Sequence, residues 1–377
     1  MAAETKKKWI LKWLLFVAVA VLFQGRPVAQ QEDLWPQAWA PWNWEFPKDH
    51  GSHPEFRTEW WYFTGNLRDQ DGSRYGYQLT FFRQALRKDP PQRGNAWSIR
   101  DVYLAHFALT DVSGGRFFFS DRISRTGPGL AGSKVARMDV WLLDWAARMQ
   151  EGVISLKAQD HDKAISLELR PRKPPVLHGE NGLSRKGSAL GQASYYHSFT
   201  DLETRGHISL KKTGKEVEVE GISWFDQEFG SNQLAGNQEG WDWFALHLSD
   251  GRDLMIYLLR LKDGSIEPAS SGTLVEKDGN WNHLPRTHFQ VTVLDRWKSQ
   301  QSGASYPSRW GIKIPEQGID LQIKSLLPHQ EINSEGSTGV VYWEGAVEGK
   351  GISAGNPVEC EGYVEMTGYA GSLGGLF

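Results

Sequence analysis

Residues 60–82 read WWYFTGNLRDQDGSRYGYQLTFF and contain two aromatic-rich runs, 60–67 and 75–82, separated by the turn pair Asp71-Gly72. Runs of this length, rich in Trp, Tyr, Phe and Thr and divided by a turn pair, are typical of β-hairpins. Comparable runs follow along most of the chain, and glycine is abundant at 40 residues. The sequence therefore predicts an all-β fold of antiparallel strands, with one short helix expected at 135–149.

The chain contains an internal repeat. The segment WWYF at 60–63 matches WDWF at 241–244, and each is followed by a leucine and an Asp-Gly pair. A second match aligns the Glu-Gly pair at 220–221 with the one at 361–362. A repeat of this kind indicates two related units, and the polar stretch 231–239 is a natural linker. We expect two antiparallel β-barrels packed together, an N-terminal one at 30–230 and a C-terminal one at 238–377.

Residues 1–29 have the features of a targeting segment. Lys6, Lys7 and Lys8 form a basic region, 9–23 is apolar apart from Lys12, and a short, partly small-residue zone follows. This pattern predicts a signal peptide, with an uncleaved N-terminal anchor as the alternative. We therefore expect an exported protein, periplasmic or secreted, which an uncleaved segment would hold at a membrane.

The composition narrows the choice of partner. Without residues 1–29, which carry five basic and one acidic side chain, the net charge falls from −3 to −7. An acidic chain without a basic stripe argues against nucleic acid. The 18 tryptophans supply flat apolar area with one N–H donor each. They predict either a pocket for an apolar or amphiphilic small molecule or two aromatic barrel cores. We see no Rossmann or P-loop pattern and expect no cofactor.

Several motifs resemble the AttH-type lipocalin-like family, which includes carotenoid 1,2-hydratases (hydroxyneurosporene synthases) and many secreted hydrolases known only from sequence. They are HPEFRTEWWYFTGNL at 53–67, GISWFDQEFGS at 221–231, GWDWF at 240–244 and YWEGA at 342–346. The resemblance implies two lipocalin-like barrels with a ligand site near their junction. Gln227 departs from the pattern, because relatives often have His or Arg there. If that residue takes part in the chemistry, the departure implies binding without turnover.

The segment 223–229 carries the candidate catalytic acids. Side chains alternate across a strand, so Trp224, Asp226 and Glu228 share one face, with neighbours about 6.5–7 Å apart. Two carboxyl groups this close titrate unequally, and one keeps its proton longer, as a general acid requires. The alternatives are a solvated acidic face or a salt bridge to an arginine such as Arg205.

The repeat tests these candidates from within the chain. Its second match maps Asp226 onto Thr367 and Glu228 onto Tyr369, which indicates that the strand tolerates neutral residues there. Its first match relates two pairs of aromatic residues, and repeated aromatics fit either barrel cores or a pocket wall. The candidate substrate-binding residues are Trp60, Tyr62, Tyr195, Trp224, Trp241 and Trp243.

Histidines supply one further candidate. His106 lies on a strand face with apolar residues such as Ala108, where it is either an acid–base partner of the carboxyl groups or a core histidine with satisfied hydrogen bonds. His50, His53 and Glu55 have a loose metal-ligand spacing. They lack a third strong ligand nearby, so no metal site is predicted.

Two functions fit these residues. The first is a hydratase or hydrolase type of enzyme acting on an isoprenoid- or lipid-like molecule by acid catalysis. Asp226 or Glu228 would donate a proton, and aromatic faces would stabilise the resulting cation. The alternative is a non-catalytic periplasmic carrier of a hydrophobic ligand, which needs the aromatic residues but not the acids. No Gly-x-Ser-x-Gly motif is present, which argues against a serine hydrolase.

Overall fold

Antiparallel strands form nearly all of the regular structure, which confirms the predicted all-β fold. The computed structural model describes residues 35–88, 99–210, 214–232, 235–334 and 336–371. Within these residues no helix is long and apolar enough to cross a membrane. The targeting segment 1–29 and part of the expected linker lie outside them. Short 3-10 helices lie at Lys48–His50, Arg286–His288 and Pro315–Gln317.

The first sheet is built from strands in the N-terminal part of the chain. These are β1 (Thr58–Asp69), β2 (Arg74–Ala85), β3 (Asp101–Asp111), β4 (Arg116–Arg125), β5 (Ala131–Ser133), β6 (Asp139–Leu142), β7 (Trp145–Gln150), β8 (Val153–Gln159), β9 (Lys163–Pro171), β10 (Val176–Leu177), β11 (Leu183–Arg185), β12 (Ala193–Leu210) and β13 (Lys215–Asn232). Their order is β4-β3-β2-β1-β13-β12-β9-β8-β7-β6-β5, and β10 and β11 also pair with β12.

The second sheet is built from the strands that follow. These are β14 (Gln238–Leu248), β15 (Asp253–Leu261), β16 (Ser271–Val275), β17 (Trp281–Pro285), β18 (Gln290–Lys298), β19 (Ser305–Ile314), β20 (Ile319–Ser325), β21 (Glu331–Asn333), β22 (Val341–Ser353) and β23 (Asn356–Met366). Their order is β17-β16-β15-β14-β23-β22-β20-β19-β18, and β21 pairs with β22. Each sheet curls into a barrel or half-barrel.

The two sheets share the same central arrangement. The order β2-β1-β13-β12 in the first corresponds to β15-β14-β23-β22 in the second. Tyr62 on β1 pairs with Asp226, and its repeat partner Trp243 on β14 pairs with Glu365. The counterpart of Asp226 is therefore Glu365, and the expected match to Thr367 is corrected by two residues. The sequence match had aligned Glu-Gly pairs, whereas cross-strand hydrogen bonding sets the true register.

Alternating side chains divide each sheet into an inner and an outer face. Trp61 and Phe63 of β1 pack inside the first sheet, in its apolar core. Tyr62 between them packs against Trp243 of the second sheet, with ring centroids 5.1 Å apart. The cores are thus filled by side chains, and the outer faces of the two barrels meet each other.

The helix expected at 135–149 is wrong, because this segment forms the hairpin of β6 and β7. Val140 and Leu142 are fully buried before the turn, and Trp145 and Ala147 are fully buried after it. The apolar residues alternate on each side of Leu143, which adopts a positive φ of 57°. The period of two, rather than the content of Ala, Leu and Met, decides the structure here.

Candidate active site

A cavity of about 120 Å³ lies where the outer faces of the two sheets meet. One water molecule needs only ~10–15 Å³, so the cavity can hold several waters or a small organic group. Aromatic residues are the largest group in the wall, which also carries four carboxyl groups. It consists of Trp60, Tyr62, Gln78, Thr80, Phe82, His106, Lys186, Tyr196, Asp226, Glu228, Trp241, Trp243, Tyr257, Leu259, Thr338, Val340, Tyr342, Glu344, Glu365 and Thr367.

Asp226 on β13 accepts hydrogen bonds from three donors. The indole N–H of Trp224 donates to Oδ1 at 2.6 Å, and the hydroxyl of Tyr196 donates to Oδ2 at 2.7 Å. The hydroxyl of Ser198 also donates to Oδ1. Burial raises the pKa of Asp226 to about 7, although the three donors lower it. The side chain can therefore hold or release a proton near neutral pH, and its carboxylate is already solvated by fixed donors.

Glu228, two residues further on the same face, has a different environment. Its Oε1 lies 2.8 Å from the ammonium of Lys186, and Ser194 donates a hydrogen bond to the same oxygen. The ammonium also lies 4.3 Å from the ring centre of Tyr257. Burial lowers the pKa of Lys186, but the carboxylate of Glu228 outweighs it, and the pKa is raised overall. Glu228 is thus held in an ion pair, which suits it to position Lys186 better than to donate a proton.

The second sheet contributes its own acid pair. Glu344 on β22 and Glu365 on β23 are direct cross-strand partners, and both line the cavity. Burial raises the pKa of Glu365 to about 7. Trp241 donates a hydrogen bond to Oε2 at 2.9 Å, which lowers the pKa but does not outweigh burial. Burial and the charge of Glu365 raise the pKa of Glu344 well above its usual value. Two carboxyl groups in this position share protons unequally.

Sequence reasoning missed these two glutamates. Glu344 lies within the motif YWEGA, and Glu365 lies three residues after Gly362 in the last repeated strand. A correctly registered repeat would have found Glu365, because it occupies the position of Asp226. The two-residue offset hid this equivalence.

His106 on β3 lines the same cavity but is neutral. Its Nδ1 lies 2.7 Å from the hydroxyl of Tyr342, and its Nε2 lies 3.4 Å from the hydroxyl of Ser337. Burial lowers the pKa of His106 to about 3. The imidazole therefore orients Tyr342 of the opposite sheet and does not act as a proton donor at neutral pH.

The structure brings most of the predicted aromatic residues together. Trp60, Tyr62, Trp241 and Trp243 line the cavity, two from each half of the repeat. Trp224 lies behind the wall, donates to Asp226 and contacts Trp243 edge to face at 6.2 Å. Its role is to hold the carboxyl group rather than to contact a ligand.

Tyr195 is not among the residues of the cavity wall. It packs with Phe56 and Phe229 in a separate cluster, and its hydroxyl donates to the carbonyl of Ala40 at 3.0 Å. Its neighbour Tyr196 takes the expected place, because the register pairs Tyr196 with Glu228 on the cavity face. We therefore replace Tyr195 by Tyr196 as the tyrosine of the site.

Gln227, the departure from the family pattern, faces away from the cavity. Its Nε2 donates to the carbonyl of Gly51 at 2.6 Å and to Glu59 at 3.0 Å. Glu59 also forms a buried ion pair with Arg83, whose Nε lies 3.2 Å from Oε2 of Glu59. We therefore interpret Glu59 as a structural residue. A glutamine at 227 therefore changes a buried network on the opposite face and leaves the acids of the cavity untouched.

The histidines with metal-like spacing belong to that same buried network. His53 lies 2.8 Å from Glu59, and His50 lies 3.0 Å from His197. Burial lowers the pKa of His53, but hydrogen bonds to Asp49 and Glu59 raise it to about 8 overall. Glu55 is exposed. Within the described ranges, no group of three or more His, Cys, Asp or Glu side chains could hold a metal ion.

The fold and the cavity define a double-barrel, lipocalin-like protein with an acid-lined site between its barrels. The family model for AttH-like proteins matches residues 37–369, and the chain belongs to this family. A solved structure from Nitrosomonas europaea, of a protein described as AttH, is 34% identical. The match covers 89% of this chain and 99% of that one, with a TM-score of 0.78.

More distant proteins share the fold. Kievitone hydratase from Nectria haematococca is 14% identical over 89% of this chain and 98% of its own, with a TM-score of 0.66. CghA is 13% identical over 82% of this chain and 88% of its own, with a TM-score of 0.50. The search of curated proteins found no match.

Proposed function

We propose that the protein is an acid-catalysed hydratase that adds water to a carbon–carbon double bond of an apolar, isoprenoid- or lipid-like molecule. The observation that carries the proposal is the carboxyl group of Asp226, fully buried at an aromatic cavity and bound by three donors. A hydratase, kievitone hydratase, is among the proteins that share the fold, which fits the proposal without carrying it.

Proton donation to an alkene needs an acid that is protonated before the step and stable as a carboxylate after it. Burial raises the pKa of Asp226 to about 7, so the carboxyl group keeps its proton up to about neutral pH. Once the proton has left, Trp224, Tyr196 and Ser198 already point their donors at the carboxylate. Donors fixed before the reaction stabilise developing charge without reorganising.

Protonation of an alkene creates a carbocation, which the cavity is suited to stabilise. Trp60, Tyr62, Trp241 and Trp243 present aromatic rings at its wall. A cation over such a ring gains ~0.5–2 kcal/mol per contact.

The acids argue against a simple carrier. A carboxyl group in an apolar cavity lowers the stability of the fold unless it is paired, and here Asp226, Glu344 and Glu365 have no basic side chain as an ion-pair partner among the described residues. A protein that only held an apolar ligand would gain nothing from them. Ligand binding without turnover remains the alternative, and the experiment below distinguishes the two.

The setting of the reaction is part of the proposal. The basic and apolar residues of 1–29 support export, and an apolar or amphiphilic substrate fits the aromatic wall. A reporter that is active only outside the cytoplasm, fused to residues 1–35, tests export. A silent reporter in cells that contain the intact fusion would count against it.

The test of catalysis is the substitution Asp226→Asn. We expect product formation on branched isoprenoid alkenes to fall by at least ~10²-fold, the usual share of general acid catalysis. Ligand affinity, followed by tryptophan fluorescence, should change little because the shape is kept. Asp201→Asn is the matched control, since Asp201 pairs with Arg172 outside the cavity. Full activity in Asp226→Asn would end the mechanism, and tight binding without turnover in the wild type would favour the carrier.

A further inference from the structure

Three polar atoms of the cavity wall are buried and lack a partner in good hydrogen-bond geometry. They are the hydroxyl of Tyr62, Oε1 of Gln78 and Oε1 of Glu344, none of which has a partner in good hydrogen-bond geometry among the described residues. The Tyr62 hydroxyl lies near the Glu344 carboxyl group, because burial and the charge of Glu344 together raise the pKa of Tyr62 well above its usual value. All three side chains line the cavity, and their exposures are only 7%, 0% and 2%. Buried polar groups in native proteins are nearly always hydrogen-bonded, so this grouping indicates where a ligand's polar group binds.

The three groups come from different parts of the fold. Tyr62 lies on β1, Gln78 on the adjacent β2, and Glu344 on β22 of the second sheet. Glu344 is also the cross-strand partner of Glu365. Side chains from both barrels are therefore required to assemble this wall.

We propose that Tyr62, Gln78 and the Glu344–Glu365 pair form a subsite for a hydroxyl group, and that in the hydration reaction this subsite holds the attacking water. The assignment of water as the reactant rests on the proposed function, whereas the affinity for a hydroxyl group does not.

The donor and acceptor inventory fits a hydroxyl group. Gln78 Oε1 accepts only, whereas the hydroxyl of Tyr62 can donate or accept. Nε2 of Gln78 already donates to Thr80, which leaves the carbonyl oxygen as the free end. A hydroxyl group or water can donate to Gln78 and accept from Tyr62 at once. An ether or a hydrocarbon cannot satisfy both.

The hydration step then balances without a further reactant. The O–H proton of Asp226 forms the new C–H bond with the π electrons of the alkene, and the O–H electron pair stays on Asp226. The oxygen of the water in the subsite forms the C–O bond to the cationic carbon. Its proton passes to the Glu344–Glu365 pair. Return of that proton to Asp226 through solvent completes the cycle.

The test compares the affinities of 2-methyl-2-heptene and its hydration product 2-methyl-2-heptanol, measured by tryptophan fluorescence. We expect Tyr62→Phe, which keeps the ring, to lower the ratio of alcohol to alkene affinity by ~5-fold, as the loss of one hydrogen bond predicts. Glu344→Gln provides a second variant of unchanged shape. Tyr195→Phe is the matched control, because it removes a tyrosine hydroxyl outside the cavity.

The outcomes separate the two proposals. A wild-type ratio in both Tyr62→Phe and Glu344→Gln would overturn the hydroxyl subsite, even in an enzyme that hydrates alkenes. A lowered ratio in a protein that turns over no alkene would support the subsite and reject the hydratase. A lowered ratio together with loss of turnover in Glu344→Gln would support both.

Discussion

Asp226 and Glu365 occupy equivalent positions in the two sheets, yet their neighbours have diverged. Ser198 pairs with Asp226, and the residue that pairs with Glu365 is a second acid, Glu344. The hydroxyl group of Ser198 in the first half thus corresponds to the carboxyl group of Glu344 in the second half. The first half stabilises a carboxylate, whereas the second half holds a pair of acids in which one keeps a proton. In the proposed mechanism, this asymmetry allows one acid to donate a proton while the other accepts one.

This difference predicts the pH dependence of turnover. The proposed mechanism requires Asp226 to be protonated and Glu365 to be ionised, and burial raises the pKa of each to about 7. Activity should therefore fall above pH 7 as Asp226 ionises, and below pH 7 as Glu365 is protonated. We expect kcat/KM to follow a narrow bell with its maximum near pH 7. The measurement is the kcat/KM profile from pH 5 to 9, compared with that of Glu365→Gln, which should lack the acidic limb.

Apart from Glu344, which shares protons with its partner Glu365, the titratable groups near the two acids do not produce this bell. Burial lowers the pKa of His106 to about 3, so it stays neutral across the range. Glu228 and Lys186 form an ion pair. The hydroxyl of Tyr196, which donates to Asp226, has a pKa raised well above its usual value, chiefly by burial. A flat profile in the wild type, or an acidic limb that persists in Glu365→Gln, would contradict the assignment.

At the residue scale, the sequence predicted the site in part. Alternation along one strand placed Trp224, Asp226 and Glu228 on a common face, and the structure places them so. Two of the three donors to Asp226, Ser198 and Tyr196, are distant in sequence, and so is Lys186, the cation beside Glu228. The positions of Ser198 and Tyr196 depend on the register of β12 against β13, and a single strand carries no information about its register.

At the scale of the elements, β12 shows what the register decides. Tyr195 and Tyr196 are adjacent, so they point to opposite faces. The pairing of Tyr196 with Glu228 sends Tyr196 to the cavity and Tyr195 to the aromatic cluster around Phe229. Either tyrosine was compatible with the sequence. The hairpin of β6 and β7 is a related case. Its apolar residues alternate as in a strand, but its amino-acid composition favoured a helix.

The two tyrosines give a matched pair of variants. Tyr196→Phe removes the donor to Oδ2 of Asp226 and so destabilises its carboxylate. We expect the pKa of Asp226 to rise further, which moves the alkaline limb of the kcat/KM profile to higher pH, and the rate to fall by ~10²-fold. Tyr195→Phe should leave both the limb and the rate unchanged. The pH profiles of the two variants provide the measurement, and identical shifts in both would show that the effect is merely structural.

At the scale of the whole molecule, buried hydrogen bonds join the two barrels. Asn66 donates to the carbonyl of Gly362 at 3.0 Å, and the indole of Trp243 donates to the hydroxyl of Tyr196 at 3.1 Å. Thr110 of the first sheet also donates to Gln330 at 2.8 Å. The site lies in the contact region between the two sheets, which we call the seam. Its geometry therefore depends on how closely the sheets approach each other.

The repeat in the sequence predicted two barrels, and the family resemblance implied a site near their junction. Which face of each sheet would meet the other could not be predicted, because strands buried on both faces show weak alternation. Tyr62 and Trp61 are both aromatic and both buried, yet only Tyr62 faces the cavity. Sequence polarity cannot separate two apolar faces of the same strand.

The closeness of the seam can be tested at Gly76 on β2. A Cβ atom there would lie 2.5 Å from the hydroxyl of Tyr363 and 3.0 Å from Cβ of Ala346, both in the second sheet. Gly76→Ala should therefore push the sheets apart and lower the free energy of unfolding by ~1–3 kcal/mol, as overpacking does.

The matched control for this wedge is Gly311→Ala on β19 of the second sheet. The nearest atoms to a Cβ there belong to Leu294 and lie at 3.8 and 4.0 Å, which is ordinary contact. This variant should be neutral or more stable by up to ~1 kcal/mol, because alanine restricts the unfolded chain. Urea unfolding followed by tryptophan fluorescence measures both. Equal midpoints for the two variants would mean that the sheets adjust to the added methyl group at Gly76 without loss of packing. The distance between the sheets at the cavity would then be adjustable rather than fixed.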